Sequence, residues 1–310
     1  MKEKDFISVI KNIVGSEYIG DDCAYLKDLG IVITQDSLVE GVHFSLNYTT
    51  PEQLGYKSVM VNLSDIAASG ALPKYITVSL SMPSDIDSEF VRALYTGMQK
   101  ACCKISNTIK IIGGDITGGD KIFISICAIG TDKDVKISSR KNAKPGYKII
   151  VSGNHGSSAA GLNLLSNGEA FPKKFINSHL EPVAQIDFGQ SLSKNITQDY
   201  AMMDTSDGLM DALSTIATES KVLLEIDFDK IPYDKDIEQF KNWQDLILYG
   251  GEDYQLVAAI PQDFETSAVV IGKVKEGSGL DLIKTNKILH FERSDIEKKL
   301  FNHFASEKTI

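Results

Sequence analysis

Six short acidic motifs carry the chemistry of this 310-residue chain: GDDCA at 20–24, TQD at 34–36, NLSD at 62–65, GGD at 113–115, DTSDG at 204–208 and GGED at 250–253. Each follows an apolar or helical-looking stretch, and glycine or a small polar residue flanks most of the acids. Glycine lets backbone amides approach a ligand closely. Carboxylates suit hard, oxygen-seeking cations such as magnesium. Magnesium takes only one or two protein carboxylates and completes its shell with water and phosphate oxygens. Six such motifs exceed the need of one ion, so their convergence implies several ions and a phosphate-rich ligand. Taken singly, each motif also reads as an ordinary turn. Ser206 and Asp207 also read as capping residues for the segment that follows them.

The usual nucleotide and hydrolase signatures are missing. There is no GxxxxGK[ST] loop, no GxGxxG entering a helix, no HRD-type loop, no GxSxG elbow and no HExxH pair. If a nucleotide binds, metal-bridged carboxylates must do much of what a lysine loop does elsewhere. The five histidines are scattered, and only His43, just past the TQD acid on VEGVHF, lies close to one of the motifs.

Composition narrows the classes further. With 32 basic and 42 acidic side chains the net charge is −10, a poor basis for displacing counterions from nucleic acid. Cys23, Cys102, Cys103 and Cys127 form no CxxC pair, which argues against a zinc knuckle or disulfide framework and fits a reducing compartment. The N-terminal MKEKDFISVIKNIVG lacks the apolar core of a secretory signal, and no apolar run reaches bilayer length. The expectation is a cytoplasmic protein without membrane or nucleic-acid partners.

The elements that must position the acids alternate in type. Strands are expected at 31–35, 75–82, 109–112 and 121–129, and helices at 55–70 and 87–105. In the latter, Phe90, Val91, Leu94, Met98, Ala101, Cys102 and Ile105 recur on one face. Pro145 and Gly146 mark a turn within the polar stretch KISSRKNAKPGYK. Beyond it YKIIVSG, KVLLEIDF, YQLVAAIP and VVIGKV read as strands, GNHGSSAAG as a loop entering a helix, and DTSDGLMDALSTIA as a helix start. This predicts a mixed α/β (α+β) chain of two domains, 1–139 and 140–310, each a mixed sheet packed with helices.

The stretches GDDCAYL, TQDSLVEGVHF, GYKSVMVNLSDIAASGALP, IIGGDITGG, SSRKNAKPGYKIIVSG, MDTSDGLMDALSTIA and LYGGEDYQLVAAIP together resemble the thiamine-monophosphate kinase family. That family shares a superfamily with aminoimidazole ribonucleotide synthetase and selenophosphate synthetase. DTSDG and NLSDIAA recur across the superfamily, whereas VEGVHF and GGEDY point to the thiamine-monophosphate kinase branch. The resemblance implies the two-domain fold of aminoimidazole ribonucleotide synthetase. It also implies ATP-dependent phosphorylation of thiamine monophosphate to thiamine diphosphate, with several Mg2+ ions, in a homodimer formed through the N-terminal domains.

By position, the family's metal ligands match Asp22, Thr34, Asp36, Asp65, Asp115, Asp204 and Asp207, with Asp36 and Asp207 foremost in catalysis. Its nucleotide contacts match Tyr95, Gly114, Asp115, Arg140 and Ser206, and its thiamine-phosphate contacts His43 and Glu252. Phe301 in LFNHF is the nearest match to a C-terminal aromatic. The family usually has Thr or Ser followed by Thr before the strand-end acid. Here Gln35 follows Thr34, and its amide or carbonyl oxygen is a further metal candidate. A selenophosphate synthetase would carry a reactive cysteine or selenocysteine near a glycine-rich N-terminus, and a hydrogenase-maturation relative a terminal cysteine. Cys23 instead follows GDD, and the chain ends in EKTI. Outside the superfamily, a non-catalytic nucleotide- or metal-binding protein and a magnesium-dependent phosphohydrolase are the competing readings.

Overall fold

A computed structural model describes residues 3–301 except 286, with the side chains of residues 3 and 4 not described. In chain order the elements are α1 (Glu3–Val14), β1 (Ala24–Leu26), β2 (Ile31–Val39), α2 (Pro51–Ser69), β3 (Leu72–Met82), α3 (Ser88–Ile105), β4 (Lys110–Gly118) and β5 (Phe123–Thr131). There follow β6 (Lys148–Val151), α4 (Ser157–Ser166), α5 (Lys173–Leu180), α6 (Ile186–Ser193), β7 (Ala201–Asp204), α7 (Leu209–Ser220) and β8 (Leu223–Asp227). The last are α8 (Trp243–Tyr249), β9 (Leu256–Ile260), β10 (Val269–Lys275), β11 (Gly279–Lys284), β12 (Lys287–Phe291) and α9 (Arg293–Ile296).

Two mixed sheets result. The first has order β1-β2-β5-β3-β4, antiparallel throughout except for the parallel β3/β4 edge. The second has order β12-β11-β8-β10-β6-β9-β7. The strand expected at 31–35 continues to Val39, and the one expected at 109–112 runs on to Gly118. Asp36 and Asp115 therefore lie within strands, not at their ends. Pairing to β5 and β3 carries each strand past the acid, overriding the weak strand preference of Gly113 and Gly114.

Helix α2 is the spine of the molecule. Thr50 caps it in a reciprocal box with Gln53, Pro51 opens it, and Gly70 closes it in the left-handed region. Apolar and small residues surround it, so nearly its whole length is buried, which is the pattern of a core helix. One side lies against the first sheet and α3, and the other reaches α6 and β7 of the second half. The core around α2 accordingly includes Ala184, Ile186, Leu192, Tyr200, Met202 and Leu256 from beyond residue 140. A second core fills the opposite face of the larger sheet, beneath α4, α7 and α8.

The crossing of α2 and α3 is set by two glycines. A Cβ on Gly55 would lie 1.9 Å from the Leu94 carbonyl oxygen, and one on Gly97 would lie 1.8 Å from that of Glu52. In an open helix Gly→Ala stabilises by about 1 kcal/mol. At Gly97 the sign should reverse: Gly97→Ala is expected to cost about 1–3 kcal/mol by forcing the helices apart. A lowered urea midpoint at unchanged slope would show it.

Candidate active site

Strand alternation decides which acids can meet. On β2, Val32, Thr34, Asp36 and Leu38 share the face turned toward α2, while Gln35 and Ser37 point the other way. Asp65 rises from α2 opposite Thr34, whose hydroxyl donates to its carboxylate at 2.5 Å. Asn62, one turn earlier, accepts the backbone N–H of Asp36 at 2.8 Å and donates to the Ser58 carbonyl. Asp204 ends β7 in the second half, where Ser64 of α2 donates to it across the junction at 2.6 Å. Asp22 comes from the GDD loop before β1.

Carboxylate oxygens of Asp22, Asp65 and Asp204 all lie within 4.8 Å of one another. Such a set of hard donors fits a divalent cation. Among the three, Asp22 holds a strong cation partner: Arg140 donates from Nη2 to one oxygen at 2.9 Å and from Nε to the other at 3.3 Å. Asp65 and Asp204 are stabilised mainly by hydroxyls, including the Ser206 Oγ on Asp204 at 3.0 Å. Burial, reinforced by the negative charges of Asp36, Asp204 and Asp22, holds Asp65 well above the usual carboxylate range. Burial, then Asp22, pushes Asp204 up to about 7.

A cavity of about 550 Å³ opens over this cluster and is bordered by Asp22, Thr34, Asp36, Asp65, Arg140, Ser206, Asp207 and Phe301. The DTSDG loop approaches it as the entry to α7. The N-cap of that helix is Gly208, at φ +101°, so neither Ser206 nor Asp207 occupies the capping position. The GGED loop lies alongside. A Cβ on Gly251 would come within 2.6 Å of the Ser206 carbonyl oxygen, and the Glu252 N–H donates to that same oxygen at 2.7 Å. The close approach that Gly251 allows is thus to the DTSDG backbone, whereas a Cβ on Gly250 would lie 2.3 Å from the Leu246 carbonyl oxygen. Glu252 sits at φ +64°, a conformation costly for a non-glycine residue. Its carboxylate meets Lys57 and His179, and His43 lies near enough to help lower its pKa. His43 Nδ1 accepts the Val39 N–H at 3.0 Å.

His43 and Glu252 sit together beside the cluster, and four further expected residues do not join it within one chain. Asp115 pairs in register with Ser79, then Ser125, then Ser37, on the face of the first sheet turned away from α2. Three ladder spacings put it about 14 Å from β2. Gly114 is explained by the sheet itself, because a Cβ there would lie 1.8 Å from the Val78 carbonyl oxygen. Tyr95 packs its half-buried ring against the first core from α3 and borders a separate groove with Arg92, Gln99 and Lys100. Gln35 borders the main cavity, but its amide donates to Ser125 on the far face, so its side chain is not placed among the ligands. Conversely, Asn62 and Ser64 hold Asp36 and Asp204, Lys57 and His179 hold Glu252, and none of the four was anticipated. A lone lysine inside an otherwise apolar helical stretch was the available signal for Lys57.

These features define a class in which two mixed-sheet halves join along a buried helix and aim acids from both at one cavity. Residues 20–131 match the family model described as AIR synthase related protein, N-terminal domain. The chain is 35% identical over 292 residues to the thiamine-monophosphate kinase of Aquifex aeolicus, covering 90% of this chain and 93% of that one. It is 35% identical over 305 residues to that of Bacillus subtilis, covering 92% and 93%. It superposes on the solved structure of AaThiL complexed with AMPPCP and TMP with a TM-score of 0.87, at 33% identity, over 98% of this chain and 97% of that one. The chain belongs to the thiamine-monophosphate kinase family.

The raised acids predict a pH-dependent stability. Without metal, Asp65 and Asp204 keep protons in the folded state that the unfolded chain has already released above pH about 4. Their contribution to stability therefore falls as pH rises from there, in the case of Asp204 through about 7. In chelator, the thermal midpoint should drop between pH 5 and pH 8, and Asp204→Asn should flatten that slope. Added magnesium should raise the midpoint more at pH 8 than at pH 5.

Proposed function

We propose that this chain transfers the γ-phosphoryl group of ATP to the phosphate of thiamine monophosphate, yielding thiamine diphosphate and ADP. The observation that carries this reading is the clustering of Asp22, Asp65 and Asp204 beneath one cavity bordered by Asp22, Asp36, Asp65, Ser206 and Asp207, in a chain of this family. AMPPCP, an ATP analogue, and TMP are what the related AaThiL structure holds.

The difficulty of the reaction is bringing one anion up to another. The acceptor needs no strong base, because a phosphate monoester's second pKa is about 6 and it is already largely dianionic at neutral pH. Magnesium ions, when bound, would neutralise both phosphates and steady the charge of the transferring group. Asp22, Asp36, Asp65, Asp204 and Asp207 are the residues we assign to hold them, with Thr34 orienting Asp65, and Ser64 and Ser206 orienting Asp204. Arg140 is already forked onto Asp22, and its charge would serve both that carboxylate and a phosphate. His43, with Nδ1 accepting from the backbone, carries its proton on Nε2 when neutral and can donate it to the acceptor. Glu252 and Phe301 would take the ring end of thiamine monophosphate by charge and stacking.

We further assign residues 1–139 and 140–310 as two domains and the chain as a cytoplasmic homodimer. No helix among the described residues is long and apolar enough to cross a membrane. The dimer reading is supported by the outward face of the first sheet, where Tyr75 and Phe123 are exposed. It also gives Tyr95, Gly114 and Asp115 a role, as contributions to the nucleotide site of the other copy.

Asp207→Asn should reduce thiamine diphosphate formation to background while leaving the thermal midpoint within a few degrees. The assay is ADP and thiamine diphosphate release with ATP and magnesium, with and without thiamine monophosphate. Near-normal turnover would refute the assignment of Asp207, and acceptor-independent phosphate release would favour a hydrolase.

A further inference from the structure

Lys57 is a cation in the wrong place for a structural helix. It lies on α2, two turns before Asp65, and is only 1% exposed. Its ammonium meets the Glu252 carboxylate at 3.0 Å, so the pair bridges the two halves of the chain. The other Glu252 oxygen lies 3.3 Å from His179 Nδ1 on α5. Burial, and then the positive charge of Lys57, push His179 down to about 4. The imidazole is therefore neutral at pH 7, and Lys57 supplies the nearby full positive charge. Ser158 Oγ, 3.1 Å from the same nitrogen, helps hold the ring.

We propose that Lys57 is a positioning residue for acceptor recognition, acting through Glu252 to present an ionised, fixed carboxylate to the cationic, aminopyrimidine-bearing end of the acceptor. The proposal rests on the phosphotransfer reading above. Glu252 keeps about a quarter of its side chain exposed, so it retains a face for ligand after meeting Lys57 and His179. Its backbone is strained at φ +64°, which fixes the carboxylate's point of origin. Lys57 and His179 then fix its direction, one on each oxygen.

The groups around it do not supply a substitute for Lys57. His43 also favours the ionised carboxylate, but as a smaller influence than Lys57. Tyr48, Tyr254 and Asp253 face it as groups that are neutral or negative. Removing Lys57 would leave a desolvated acid with its largest favourable charge gone, and such an acid takes up a proton or turns away. Either outcome would weaken recognition of a cationic ring while leaving the nucleotide end untouched. A lysine serving only as a strut between the halves would instead disturb stability and both substrates together.

The test compares wild type with Lys57→Met, Lys57→Arg, Glu252→Gln and the Lys57→Met/Glu252→Gln double variant. It measures thiamine monophosphate affinity by calorimetry, KM for both substrates, and thermal midpoints. Lys57→Met should weaken thiamine monophosphate binding about tenfold or more, with the KM for ATP changed less than about twofold. Lys57→Arg should recover most of the loss. In the Glu252→Gln background, Lys57→Met should add little, because the residue acts through that carboxylate. Equal losses toward both substrates, or the same loss in the Glu252→Gln background, would overturn the proposal. Should Lys57→Met fail to fold, the arginine variant decides: affinity as poor as in Glu252→Gln would refute it, and near wild-type affinity would support it. Absence of wild-type turnover with the affinity order intact would remove the reaction and keep the residue. Turnover with affinity unchanged by Lys57→Met would do the reverse, and failure of the wild type to bind thiamine monophosphate would remove both.

Discussion

Three carboxylates from three distant stretches of chain are held within 4.8 Å of one another in a largely buried place, and much of the surrounding architecture follows from that repulsion. Like charges so close and so dry cannot all ionise without compensation. The protein supplies partial compensation only. Arg140 neutralises Asp22, while Thr34, Ser64 and Ser206 offer hydroxyls to Asp65 and Asp204. A second cation in place of a hydroxyl would have made a quiet ion-pair network with no charge left over for a ligand to meet. The raised pKa values of Asp65 and Asp204 are the measure of what has been left uncompensated.

Holding such a cluster requires a rigid support from both halves, and α2 provides it. The helix contributes Asp65 directly, fixes the Asp36 backbone through Asn62, and reaches Asp204 through Ser64. These three roles fall within four consecutive residues, 62–65, so that one helical turn addresses two strands of different sheets. Burial on every side fixes the rotation of the helix, and the glycine crossing with α3 fixes its depth. The site is thus as rigid as the core, although two of its acids come from loops.

What was legible in the sequence follows from what is local. The buried strands and α3 announce themselves by periodicity, and Asp22, Asp65 and Asp204 by apolar runs that end in acids. The surroundings of Asp115 were not legible, because GGD reads as a turn. Only the ladder with β3 shows that Gly114 is there to let Val78 approach, and that the acid faces away from α2. Gln35 fails for a similar reason: adjacency in sequence to Thr34 and Asp36 means opposite faces on a strand. The Lys57–Glu252 pair spans nearly two hundred residues, and no local pattern can report a contact made by the docking of two halves.

The two ends of α2's active stretch carry opposite charge. Lys57 and Asp65 are eight residues apart, which on a helix is about 12 Å along the axis. At one end a cation is sealed behind Glu252, which keeps about a quarter of its side chain exposed. At the other, the carboxylates of Asp65 and Asp204 are left short of cations, and on the proposed reading bound magnesium would make that end positive. A ligand with a cationic ring system and an anionic phosphate has one favourable direction in such a field. On the reading proposed above, the helix that builds the acidic cluster would also set the polarity of the acceptor, because the reversed ligand would place phosphate against Glu252 and the ring cation away from it. In that reading, orientation would be set by α2 before any contact specific to the ring is made.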